Sequence, residues 1–284
     1  MLVVAALVCF ICTILLGQII RRKGNDSIVE GIAVFVPFAI GMLLVKGVFY
    51  NTSAILIGGA IVVIAGWWFD KKRISVWWML PAQVIAALIV IYWGRVEISF
   101  IDTYFIGVVN FYALSIPLTL LFLLSLTNSV HYPGQSNALV LPLSALVLAV
   151  LTCLSAIKGD NSSAAMGVLL LACIIAKLSG SNEAGSGCSS LAGFIIAIIT
   201  LSCFKGVEIV YIPFYLIGVP SFVCSLLIRR GAATKQSINI SMIVALLFSL
   251  PLFFLSPAII WGAVILAAIL FILTHFIRLK WLYR

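Results

Sequence analysis

The chain consists of apolar runs of about 17–20 residues that are separated by short polar breaks. Helices of this length span the hydrocarbon core of a bilayer, and they satisfy their own backbone hydrogen bonds there. A transmembrane β-barrel would instead alternate apolar and polar residues in segments of about ten. With 64% hydrophobic and 9% charged residues, the chain has more apolar surface than a soluble domain of this size can bury. We therefore expect an all-α, polytopic integral membrane protein.

About ten or eleven transmembrane helices are expected, and together they form a single transmembrane domain over residues 1–284. The run that ends at residue 127 is too long for one span. Asp102 and Asn110 are therefore expected in an interfacial or half-membrane segment that precedes the helix. The predicted spans are 2–20, 29–46, 54–69, 76–94, 104–127, 138–157, 163–178, 188–204, 207–227, 239–255 and 257–276.

The lysines and arginines divide unequally between alternate loops. Four of the 17, namely Lys46, Arg95, Lys158 and Lys205, fall on one side, and the other 13 fall on the opposite side. The richer side is cytoplasmic by the positive-inside rule, which places the N-terminus outside and the C-terminus inside. The formal net charge of +9 is then an orientation signal and an attraction to anionic membrane lipids. We expect no nucleic-acid partner.

The polar residues that could act on a substrate lie in the predicted cytoplasmic loops 21–28, 70–75, 128–137, 177–187 and 228–238. Four segments in and beside these loops are "GWWFDKKRIS" (66–75), "NSVHYPGQSNAL" (128–139), "AGSGCSSLAGF" (184–194) and "GVPSFVCSLLIRR" (218–230). In order and framing they resemble the polyprenyl-phosphate N-acetylhexosamine-1-phosphate transferases, which include the muramyl-pentapeptide transferase. The resemblance implies transfer of a sugar-1-phosphate from a UDP-sugar to a lipid phosphate with Mg²⁺. It also implies a place in the bacterial inner membrane and a role in cell-envelope glycan assembly.

The match retains framing residues and loses most of the family's acidic residues. Asp70 falls on the second aspartate of the first motif, and Phe69 replaces the first. Gly134 and Asn137 stand where the second motif has its aspartates, and Ser186 replaces the aspartate of the third. The last cytoplasmic loop lacks the family's histidine cluster. The resemblance thus indicates a divergent member that is catalytically degenerate.

The candidate site residues follow from this comparison. The catalytic candidates are Asp70, Glu183 and His131, and Asp70 is also the candidate ligand for Mg²⁺, which is expected only if the protein is active. A structural alternative is that Asp70 caps a helix or pairs near the basic turn. The candidates for binding substrate phosphate are Lys71, Lys72, Arg73 and Asn128.

Three functions remain open at this point. The first is a degenerate transferase homologue that binds polyprenyl phosphate and acts as a partner or regulator. The second is an active, Mg²⁺-dependent transferase that uses a UDP-sugar and undecaprenyl phosphate, with Asp70, Glu183 and His131 as a rebuilt site. The third is a non-enzymatic transporter or membrane-complex subunit. A homodimer is one candidate assembly for each.

Overall fold

The computed structural model describes residues 1–22, 30–45, 51–72, 78–104, 106–129, 137–180 and 184–266. Nearly all of its regular structure is helical. The helices are α1 (Leu2–Arg22), α2 (Glu30–Leu44), α3 (Thr52–Lys72), α4 (Met79–Tyr92), α5 (Ser115–Ser129), α6 (Asn137–Ile157), α7 (Asn161–Leu178), α8 (Ser186–Cys203), α9 (Glu208–Tyr211), α10 (Val219–Arg229), α11 (Thr234–Ser249) and α12 (Pro251–Phe254). A π-helical turn, Ile212–Gly218, joins α9 to α10.

The helices confirm the predicted class of membrane protein. Eight helical segments within the described ranges are long and apolar enough to cross a membrane. Three shorter apolar helices accompany them: Glu30–Leu44, Met79–Tyr92 and Pro257–Leu266. These eleven segments correspond one to one with the eleven predicted spans. The chain is therefore an all-α polytopic membrane protein.

Helix α8 is the central helix of the bundle. Its residues Ser186–Leu201 are all buried, and it packs against α2, α3, α5, α6 and α7. Helix α1 lies at the periphery, where it contacts α2 and α7 and exposes Val3, Leu7 and Ile11. A helix that is apolar on all sides belongs inside a bundle or against lipid. Helix α8 is the first case, inside the bundle, and α1 is the second, at the surface that faces lipid.

The segment before α5 differs from its prediction. The expected span over 104–127 is helical only from Tyr112, where a 3₁₀ turn (Tyr112–Leu114) leads into α5. The expected half-membrane segment is a β-hairpin. Strands β1 (Phe100–Thr103) and β2 (Gly107–Asn110) pair antiparallel, with Asp102 opposite Val108. Asp102 is exposed on this hairpin, so its charge does not lie within the bundle. Gly107, the first residue of β2, has a φ of +82°, a conformation that favours glycine and lets the chain enter the second strand.

The hairpin contacts the loop after α8 and so marks one end of the bundle. The backbone N–H of Asp102 donates to the carbonyl of Lys205 at 2.7 Å, and Lys158 forms a salt bridge with Glu208 at 2.7 Å. Lys158 and Lys205, which the loop alternation assigns to one side, thus lie together at this hairpin end. The opposite end, where α3 finishes and α8 begins, holds Asp70. The assignment of this Asp70 end to the cytoplasm stays a prediction.

Two helix boundaries near the C-terminal part follow from proline. The predicted span 239–255 begins earlier, at Thr234, and breaks at Leu250 before Pro251. Pro213 lies in the first turn of the π-helical segment. Because proline has no backbone N–H to donate, it locally disturbs the regular helical hydrogen-bond ladder.

Candidate functional site

The side chain of Asp70 joins the end of α3 to the start of α8. Its Oδ2 accepts a hydrogen bond from the backbone N–H of Ser186 at 2.9 Å. Its Oδ1 accepts one from the Ser186 hydroxyl at 2.6 Å. Gly185, which precedes α8, provides no side-chain cap. Asp70 therefore caps α8 from a different helix, and its negative charge lies at the positive end of the α8 dipole.

Three glycines bring the backbones close enough for this contact. A Cβ added to Gly66 would lie 2.5 Å from the Cα of Gly187, and one added to Gly31 would lie 3.0 Å from the carbonyl carbon of Gly187. Helices α2 and α3 thus meet the first turn of α8 almost backbone to backbone. Gly66 and Asp70 are four residues apart and share one face of α3. The glycine therefore sets the distance at which the carboxylate reaches α8.

The two lysines that follow Asp70 are exposed in the last turn of α3. Lys71 Nζ lies 4.9 Å from the centroid of the Trp67 ring, within the range of a cation–π contact. Positive charge at this end of α3 also complements the helix dipole. Both lysines are therefore accessible to an anionic group at the membrane surface.

Asn128, a candidate phosphate ligand, is paired with a residue of α4. Its Nδ2 donates to Oε1 of Gln83 at 2.7 Å and to the carbonyl of Leu124 at 2.8 Å, and Gln83 Nε2 donates back to Asn128 Oδ1 at 3.2 Å. Gln83 is 1% exposed. Both N–H groups of the Asn128 amide are thus engaged inside the protein, and the residue fastens α5 to α4.

A buried ion pair lies between α2 and α7. Lys177 Nζ donates to Oε1 of Glu30 at 2.5 Å, and these side chains are 7% and 18% exposed. A buried charge is tolerated when an opposite charge lies against it. Glu30, the first residue of α2, also suits the positive end of its own helix dipole. Its carboxylate therefore neutralises Lys177 through Oε1.

Asp70 is not part of a cluster of metal-ligating side chains within the described residues. No group of three His, Cys, Asp or Glu side chains that could hold a metal occurs in the part of the chain that the structure covers. Both oxygens of Asp70 accept hydrogen bonds from Ser186, whereas Mg²⁺ sites combine carboxylate oxygens with phosphate and water. Glu183, His131 and Arg73 lie outside the described residues.

A comparison of the sequence with models of protein families identifies a matching family. A model of glycosyl transferase family 4 matches residues 52–204, which include Asp70, Asn128 and Ser186. The chain belongs to glycosyl transferase family 4. This agrees with the resemblance described above and supports a membrane glycosyl phosphotransferase relationship. A comparison with curated proteins finds no match.

Residues that frame the family 4 motifs have structural roles in this chain. Gln83 and Asn128, from the first and second motif regions, bind each other. Gly193, from the third, lets α8 approach α5, since a Cβ there would lie 2.5 Å from the carbonyl oxygen of Leu126. The Phe194 ring packs against Gly58. The framing residues thus support the helix packing.

The sequence-based site omitted Ser186 as a partner of Asp70, and it omitted Gln83, Glu30 and Lys177. The sequence does contain one indication of the contact between Asp70 and Ser186. Gly66 precedes Asp70 by one helical turn, and Gly187 directly follows Ser186, as expected for two helices in close contact. The Glu30–Lys177 pair joins residues 147 positions apart, and no local pattern indicates it.

Proposed function

We propose that this protein is a catalytically degenerate member of glycosyl transferase family 4 that acts in lipid-linked sugar assembly of the cell envelope. In this role it binds the lipid carrier and serves as a partner or regulator of active enzymes. One observation carries the proposal: the Asp70 carboxylate caps α8 by accepting both hydrogen bonds of Ser186. The family resemblance places an acid at position 70 and another at position 186. This chain has a carboxylate, Asp70, at the first position and a hydroxyl, Ser186, at the second.

The chemistry of the reaction explains why that observation matters. Transfer of a sugar-1-phosphate brings two anionic phosphates together, and a divalent cation lowers this barrier by neutralising charge and orienting the pyrophosphate. Asp70 is committed to α8. One oxygen of Glu30 is paired with Lys177, and the other is buried without a hydrogen-bond partner among the described residues. A cation could therefore bind Asp70 only in competition with the two hydrogen bonds from Ser186.

Lipid-carrier binding is supported by the surface beside Asp70. Lys71 and Lys72 are exposed at the end of α3. A cavity of about 290 Å³ lies between α3 and α4, lined by Trp68, Phe69, Trp78 and other apolar side chains. Phe69 and Trp68 belong to the turn before the lysines, so apolar groove and positive charge adjoin. This combination suits an isoprenoid chain that carries a phosphate.

The test is release of UMP from UDP-N-acetylhexosamine. The protein, purified in detergent, is incubated with undecaprenyl phosphate and Mg²⁺, and an active member of the family is assayed in parallel. We expect UMP release at background level from this protein. Retention of polyprenyl phosphate is measured on the same sample by native mass spectrometry, and we expect it to fall when Lys71 and Lys72 are both replaced by Gln. UMP release clearly above background contradicts the proposal.

An active, divergent transferase is the second candidate, with Asp70, Glu183 and His131 in a rebuilt site. One feature of the sequence favours it. Glu183 lies three residues before Ser186, and Ser186 is the residue that contacts Asp70. Mg²⁺ would then be the expected cofactor. If UMP is released, Asp70→Asn and Glu183→Gln should each abolish release. Asp70→Asn keeps an acceptor for Ser186, so an inactive but stably folded variant supports this candidate, and unchanged turnover contradicts it.

A further inference from the structure

A cavity with charged residues in its lining lies at the hairpin end of the bundle, opposite the Asp70 end. Its volume is about 280 Å³, and its lining includes Arg95, Glu97, Asp160, Ser162 and Lys205. Two other cavities of similar size, beside Trp68 and beside Tyr215, have mostly apolar linings. Four charged residues around one small cavity are unusual in a chain with 9% charged residues. Perturbed charged groups that converge on a cavity indicate a binding site.

Lys205 contributes a partly buried cation that the fold holds in place. Its Nζ donates to the carbonyl of Leu201 at 2.9 Å and to the carbonyl of Glu97 at 3.2 Å. An ammonium group has three N–H donors, so one remains for a ligand. Burial lowers the pKa of the Lys205 amine, and the charge of Glu97 partly opposes this shift. A cation in such a site gains more from an incoming anion than one in bulk water.

Arg95 contributes an exposed cation on a constrained backbone. Its φ is +49°, a conformation that is costly for a residue other than glycine and that the surroundings must maintain. They do so because Asn51 Nδ2 donates to the carbonyl of Gly94 at 2.6 Å and Ile98 N–H donates to Thr119 Oγ1 at 2.8 Å. Within the described ranges Arg95 forms no salt bridge. Its guanidinium is therefore an exposed donor fork, of the kind that binds phosphate, on a backbone that the fold holds in place.

The two carboxylates provide fixed acceptors beside these cations. Asp160 caps α7 by accepting hydrogen bonds from the Ser162 N–H at 3.1 Å, the Ser162 hydroxyl at 2.6 Å and the Ser163 N–H at 3.2 Å. Burial raises the pKa of Asp160, but these serine donors outweigh it and the net pKa is lowered. Glu97 Oε2 accepts from the Ser115 hydroxyl at 3.2 Å. Both acids are thus held as acceptors for ligand hydroxyl groups.

We propose that this cavity binds a phosphate group that carries neighbouring hydroxyls, as in phosphoglycerol. The phosphate contacts Arg95 and Lys205, and the hydroxyls donate to Asp160 and Glu97. A volume of about 280 Å³ lies at the small end of ligand pockets and suits a ligand of this size. The same chemistry occurs in soluble glycerol phosphate and in the head group of phosphatidylglycerol. This site is independent of Asp70 and of the proposed function at that end.

The experiment measures binding to the full-length protein with and without Arg95. Glycerol 3-phosphate and inorganic phosphate are titrated by calorimetry in detergent. Lipid retention from nanodiscs of phosphatidylglycerol or phosphatidylcholine is measured by native mass spectrometry. Arg95→Gln removes an exposed charge and is expected to weaken binding about ten-fold or more. Arg230→Gln, an exposed arginine outside the cavity, is the matched control and should bind as the unaltered protein does.

A second variant tests the hydroxyl contacts. Asp160→Asn retains a good N-cap for α7 and should reduce the preference for glycerol 3-phosphate over inorganic phosphate. Arg95-dependent binding of glycerol 3-phosphate supports the proposal with a soluble ligand. Arg95-dependent retention of phosphatidylglycerol alone supports it with a lipid head group. If neither ligand binds in an Arg95-dependent manner, or if Arg230→Gln weakens binding equally, the proposal is overturned.

Discussion

Replacing Ser186 with aspartate should destabilise the protein in a way that a divalent cation reverses. The Ser186 hydroxyl lies 2.6 Å from Oδ1 of Asp70. A carboxylate at position 186 therefore brings two negative groups to about 4 Å, where repulsion at an effective dielectric constant of about 20 is about 4 kcal/mol. Asp70 is half-buried, and solvent screening reduces this value. We expect a net loss of about 2 kcal/mol in the free energy of unfolding.

The measurement is thermal unfolding of the purified variant in detergent, with EDTA and with Mg²⁺. A loss of about 2 kcal/mol corresponds to a fall in Tm of roughly 4–8 °C in EDTA. Mg²⁺ should recover much of this fall, because paired carboxylates are the ligands that it lacks in the unaltered protein. Ser186→Asn is the matched control: it has the shape of aspartate, no charge, and an amide that can donate to Asp70.

Two results would refute this reasoning. If Ser186→Asp and Ser186→Asn have the same Tm in EDTA, the carboxylate at position 186 does not lie against Asp70. If Mg²⁺ raises the Tm of the unaltered protein as much as that of Ser186→Asp, the Asp70 contact already binds the cation, and the argument for degeneracy loses its basis.

Three further substitutions test the packing around this contact, each by thermal unfolding in detergent. Gly66→Ala should cost about 2 kcal/mol or more, because its Cβ would lie 2.5 Å from the backbone of α8. Lys177→Met should cost about 3 kcal/mol, because it leaves Glu30 buried without its cation. Gln83→Leu should cost about 1–2 kcal/mol, because the amide of Asn128 loses its partner.

Each of these predictions has a control in the same chain. Gly17→Ala is the match for Gly66, since a Cβ at position 17 meets nothing within 4 Å and alanine favours the helix. Equal effects at the two glycines would contradict the close contact of α3 and α8. The double variants Lys177→Met with Glu30→Gln, and Gln83→Leu with Asn128→Leu, should be more stable than the respective single variants. Additive losses would show that these pairs are not coupled.

The spans could be predicted from sequence because continuous apolar runs depend only on local composition. The hairpin could not be separated from α5 in this way, since "FIDTYFIGVVN" is as apolar on average as the helix that follows. Gly107 is a local signal for the chain reversal, since it begins β2 with a φ of +82°.

The candidate site could be predicted only in part, because its contacts join residues that are far apart in the sequence. Asp70 was identifiable because its flanking residues carry the family resemblance. Its partner was not, because Ser186 is 116 residues away and the contact depends on how Gly66 and Gly187 let two helices approach. Contacts across such separations follow from tertiary packing, which local propensity does not encode.

The ties at the two ends of α3 and α8 have a mechanical consequence. At one end Asp70 fastens α3 to α8. At the other, Asn51 and Lys205 each bond to the segment 94–97, so that both helices are anchored to the same loop. Because α3 and α8 are joined at both ends, we expect this frame of two helices to resist movement of one helix along or against the other. Alternating-access transport needs one group of helices to tilt against another, so any such motion in this protein would have to move α3 and α8 as one unit or break these hydrogen bonds.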